Sequence, residues 1–148
     1  MFLRLVLFSA LVVCAGCGDS TAPSEPTANV AGAWTGQFGT SASGTALRLT
    51  WTATQSGSTA TGSARLMKPS VGTEIPGTLS ATINGNQAAL TFSAAPGNVP
   101  TVPACTAAGT GSGTIGANSI LGTLNLTATG CDSIGIENAS SGALLMTR

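Results

Sequence analysis

After residue 30 the chain alternates apolar and polar side chains with a period of two, and glycine, asparagine or proline breaks the alternation at strand-like intervals. Ala33 to Thr40 opens the series, with Trp34, Gly36 and Phe38 on one face. Leu47, Leu49, Trp51 and Ala53 then share one side of a predicted strand, opposite Arg48, Thr50, Thr52 and Thr54. A turn at Gln55–Ser58 leads into Ala60, Gly62, Ala64 and Leu66, again on one side. Leu79, Ala81 and Ile83 face Ala88, Leu90 and Phe92 across Asn84-Gly85-Asn86, where Asn-Gly suits a type I′ hairpin with positive φ at both central residues.

Two longer connections carry prolines: Met67–Pro76, which also holds Lys68 and Glu74, and Ala94–Cys105, expected at a rim. Thr106–Ile115 keeps the alternation with Gly109, Gly111 and Gly113 in the apolar places, as a strand does where neighbouring backbone comes close. Ile120, Gly122, Leu124 and Leu126 form the next inward face. Ser133–Glu137 is a short further candidate, followed by a turn at Asn138–Ser141 and a last strand at Gly142–Arg148. About eight to nine strands joined mainly by hairpins predict an all-β, antiparallel up-and-down meander, which removes its edges by closing into a small barrel; a β-sandwich is the alternative.

Before this region the pattern differs. Arg4 precedes the apolar run Leu5–Val13, the charged and hydrophobic parts of a secretory signal, and the run is too short to cross about 30 Å of hydrocarbon as a helix. It ends in Ala15-Gly16-Cys17. That sequence resembles the lipobox of bacterial lipoproteins, whose leader is cut before a cysteine that is then acylated; Cys14 stands where the family usually has leucine. Cys14 could itself be the acceptor, but Val13 before it is not the small residue the family uses. Plain secretion with a free or paired Cys17 is the other reading, and Cys14-Ala15-Gly16-Cys17 also spells C-x-x-C without the βαβ context or second ligand pair that redox or zinc chemistry needs.

The resemblance implies residues 1–16 as signal peptide, a chain acylated at Cys17 with palmitate-type lipid, and a membrane partner reached through that anchor. Gly18 in place of the inner-membrane retention aspartate implies an exported protein of the cell envelope, held at the outer membrane. Residues 17–29 form the acylated N-terminus and a Ser-, Pro- and Thr-rich flexible linker, leaving residues 30–148 as one domain. With Cys17 acylated, Cys105 and Cys131 remain as an even pair in an oxidising compartment and are expected to form a disulfide.

Composition narrows the chemistry. Without histidine there is no Ser-His-Asp or Cys-His set and no imidazole metal site. Glu74 with Asp132 as a glycosidase pair, or Asp132 with Glu137 on calcium, would need loop acids that are ordinarily just solvated. Gly111–Gly116 satisfies G-x-G-x-x-G but precedes a strand where a dinucleotide site needs a helix. Five basic and five acidic residues, with no basic patch, argue against nucleic acid as a partner; Arg48 and Arg65, on adjacent outward faces, could together meet an anion but read as solubilising charges. No catalytic residue, metal or cofactor is expected.

Gly32-Ala33-Trp34 resembles the G-x-W that opens the first strand of lipocalins and their calycin relatives, where the tryptophan closes one end of an eight-stranded barrel. Their second motif, any tyrosine, and a helix after the barrel are absent here. The resemblance implies a lipocalin-like barrel, with Trp34, Phe38, Leu49, Trp51, Leu90, Phe92 and Leu124 as candidate interior residues lining a site for a small hydrophobic ligand. The alternative is a structural or interaction module of the envelope with a packed core, meeting an unidentified protein or glycan. Inward residues that are often small serve both readings.

Overall fold

The computed structural model describes residues 27–39, 46–136 and 139–148. Eight antiparallel strands follow one another: β1 (Gly32–Gly39), β2 (Ala46–Ser56), β3 (Thr59–Met67), β4 (Glu74–Asn84), β5 (Gln87–Ala94), β6 (Thr106–Ile115), β7 (Ser119–Thr129) and β8 (Ala139–Thr147). Each pairs with its neighbours in sequence, and β1 pairs with β8 from Thr35 opposite Thr147 to Gly39 opposite Ala143, so the sheet is a closed barrel without edges. This is the all-β meander expected from the alternation, and it is consistent with a lipocalin-like barrel.

The alternation decides sidedness. Inward positions supply the core, in which Trp34, Trp51, Phe38, Phe92, Leu49 and Leu66 are each 2% exposed or less. Outward positions are mostly hydroxyl-bearing: one register row runs Thr54, Thr61, Ser80, Thr91, Thr110, Asn125 and Ser141 from β2 to β8. An apolar inside and polar outside is the reverse of a membrane-spanning barrel, which turns an apolar band to lipid.

Small residues let the sheet curl this tightly. A Cβ on Gly62 would lie 1.7 Å from the Thr52 carbonyl oxygen on β2, and one on Gly122 would lie 1.9 Å from that of Ser112 on β6. Backbone occupies the space where a side chain would begin, which accounts for glycine inside otherwise regular strands.

Five local expectations change. The β4–β5 turn is centred on Gly85-Asn86, and Gly85 alone has positive φ (58°), so it follows the glycine-first pattern of a II′-type hairpin; Asn86 needs no left-handed backbone. The β2–β3 turn is likewise only Gly57-Ser58, with Gly57 at φ 59°. The connection expected at Met67–Pro76 ends early: Glu74, Ile75 and Pro76 already belong to β4, opposite Met67, Leu66 and Arg65, and Ile75 is fully buried. Pro76 is tolerated because β5 joins the ladder only from Thr78 onward, leaving the side of the missing N–H without a strand to bond.

The candidate strand at Ser133–Glu137 is instead a 3₁₀ turn, Asp132–Ile134, followed by Gly135 in the left-handed conformation. Ile134 and Ile136 both turn into the core through this kink, so their spacing of two reflects burial on either side of a left-handed glycine. The turn expected at Asn138–Ser141 gives way to β8 from Ala139 onward, with Ser141 opposite Asn125, and the strands number eight.

Candidate functional site

Strand direction gives the barrel two unlike ends. At the closed end the connections are the short turns at Gly57-Ser58, Gly85-Asn86 and residues 116–118, and the chain enters across them. Ala28 N–H donates to the Gly85 carbonyl (2.9 Å), Val30 N–H donates to Gln55 Oε1 (2.6 Å), and Gln55 Nε2 donates to the carbonyls of Ala28 and Gly57 (3.0 Å each). Val30 is fully buried, and its carbonyl accepts the Trp34 indole N–H at 2.8 Å. Arg148 lies over the Trp34 ring, 4.9 Å from its centroid, and donates to the carbonyls of Ala31 and Ala117. Trp34 thus plugs this end.

At the other end run the connections of residues 68–73, 95–105 and, as far as it is described, 130–136. Cys105 and Cys131 form the expected disulfide, both fully buried, with Cα atoms 4.7 Å apart. It joins the proline-rich connection to the turn after β7. Val99, within that connection, is buried, and Lys68 Nζ donates to the Gly135 carbonyl at 2.8 Å, tying the β3–β4 connection to the turn. The loop end is therefore a clamped rim.

Trp34, Phe38, Leu49, Trp51, Leu90, Phe92 and Leu124 all lie inside the barrel in one contiguous core, at 1–2% exposure. A ligand chamber of about 300 Å³ or more would leave accessible area on its walls. These walls carry almost none: side chain meets side chain. One polar atom stands out, the Trp51 indole nitrogen, which is buried without a hydrogen-bond partner among the described residues.

Concavities described on the molecule lie outside it. A groove of about 400 Å³ is lined by Thr35, Gln37, Arg48, Pro69, Leu145 and Thr147, and one of about 450 Å³ by Pro76, Thr78, Ser93 and Asn98. A dimple of about 70 Å³ lies between Arg48, Arg65 and Glu74. Arg65 is ion-paired with Glu74, so its charge is already matched; register places Arg48 beside Arg65 only diagonally, opposite Met67. Glu74 is thereby engaged away from any pairing with Asp132, which begins the 3₁₀ turn.

Among the described residues no three acids or cysteines come together as a metal cluster. Gly111–Ile115 lies within β6, with only a turn between it and β7. Cys17 and Glu137 lie outside the described residues. The exposed leucines Leu121 and Leu145, opposite one another on β7 and β8, were not distinguished by alternation, which marks inward positions only. Their signal in sequence is an apolar residue at an outward position.

Comparisons with protein-family models, with curated proteins and with solved structures find no match.

Proposed function

We propose that the chain is a bacterial envelope lipoprotein, acylated at Cys17 and held at the outer membrane, whose barrel is a packed, non-catalytic module that meets a protein or glycan with its outer surface. The anchor rests on the leader and on Ala15-Gly16-Cys17. The packed-module reading rests on one observation: the interior side chains bury one another to 1–2% exposure, so the barrel's capacity is spent on its own core. Binding energy then has to come from the Thr/Ser exterior, its grooves and the clamped rim.

A second reading is favoured by the unpartnered Trp51 indole N–H. A buried donor without an acceptor costs about 1–3 kcal/mol, and a small hydrophobic ligand carrying one acceptor atom would relieve that cost if the core opened to admit it.

Two measurements test these readings. Replacing Cys17 with serine is expected to move the protein from the membrane pellet to the soluble fraction and to abolish incorporation of labelled palmitate; unchanged fractionation would remove the anchor. Titration with an apolar fluorescent probe such as N-phenyl-1-naphthylamine should leave tryptophan emission unchanged. Saturable quenching would replace the packed module by the ligand-binding reading.

A further inference from the structure

We propose that the closed end of the barrel faces the bilayer, with the Leu121–Leu145 pair entering the lipid headgroup layer. This rests on acylation of Cys17 and goes beyond it, because a tether alone leaves the domain free to tumble. Leu121 and Leu145 are 55% and 47% exposed and face each other across β7 and β8, on an exterior otherwise rich in threonine and serine. The other large exposed apolar residue among those described, Val71, lies at the opposite, loop end.

Three observations point to lipid as the occupant. The described chain begins on the closed end, where Ala28 bonds Gly85, and the ten residue steps from Cys17 to Thr27 reach about 36 Å at most. The leucines stand two residues up their strands from that end, about 7 Å, within the roughly 5–10 Å to which interfacial apolar faces sink. Arg148 is the charged side chain at the closed end among the described residues, of the sign that anionic headgroups attract, whereas the loop end carries both signs, Arg48, Arg65 and Lys68 with Glu74 and Asp132.

The proposal makes orientation measurable. The acylated full chain is reconstituted into vesicles of phosphatidylethanolamine and phosphatidylglycerol, with an environment-sensitive fluorophore on Leu121→Cys or Val71→Cys, and quenched by headgroup-proximal nitroxide lipids. Position 121 is expected to show about threefold stronger quenching than position 71, with blue-shifted emission. Equal quenching, or stronger quenching at 71, would overturn the proposal. A label on Ala117→Cys in the L121T/L145T background gives a second reading: quenching should fall at least to half while the melting temperature holds, and undiminished quenching would show that the leucines do not hold the orientation. Failure of the anchor would appear separately, as an unacylated mass before any vesicle is made, and would remove the proposal together with its premise.

Discussion

Gly62 and Gly122 set how tightly the sheet can curl. With carbonyl oxygens 1.7 and 1.9 Å from where a Cβ would stand, an added methyl must push backbone apart, since no flexible side-chain tip can move aside. Gly62→Ala should therefore destabilise by about 1–3 kcal/mol. Gly109→Ala, whose nearest contact would be 3.2 Å, should cost clearly less. Urea denaturation of the two variants side by side measures the difference, and equal losses would contradict the close-approach account. Trp34 is the other decisive residue: buried, bonded to the Val30 carbonyl and covered by Arg148. Trp34→Ala should cost about 3–5 kcal/mol, and an unchanged melting temperature would remove Trp34 from its role as a plug.

At the scale of elements, the disulfide joins two connections that have little regular structure of their own. Closing a loop with a sequence separation of 26 contributes about 3.5 kcal/mol in the chain-entropy model. The double variant Cys105→Ala, Cys131→Ala should lose stability of that order, read by thermal melting under non-reducing conditions; no loss would mean that Val99 and the Lys68–Gly135 tie hold the rim without it.

The strands themselves were legible because an inward face of Leu49, Trp51 and Ala53 beside an outward face of Thr50, Thr52 and Thr54 has one way to bury its apolar side. Departures from alternation were not legible. Pro76 reads as a breaker until the ladder shows which side of it lacks a partner, Gly85 takes the positive φ that Asn84-Gly85 leaves open, and Ile134 and Ile136 enter the core through a left-handed glycine that mimics strand spacing. The candidate site was legible only as a set of inward residues. Whether inward side chains meet one another or surround a space depends on barrel shear and on the glycines' close approaches, which a local pattern does not encode.

For the molecule as a whole, closure, sidedness and polarity of the two ends combine. The interior is filled, the wall is mostly hydroxyl-bearing, one end is sealed by Trp34 and the entering chain, and the other is clamped by Cys105–Cys131. On the proposed reading such a barrel works from its outer surface, and an anchor at Cys17 would hold the sealed end near the membrane with the clamped rim roughly 25 Å farther out, the length of a tilted strand of this size. The measurement that tests this account most directly is native mass spectrometry of the protein purified from its own host. The predicted result is a chain beginning at Cys17, carrying its acyl groups and no other small molecule. A co-purifying lipid-like mass released on unfolding would contradict the packed interior, and a mature chain without acyl groups would contradict the anchor.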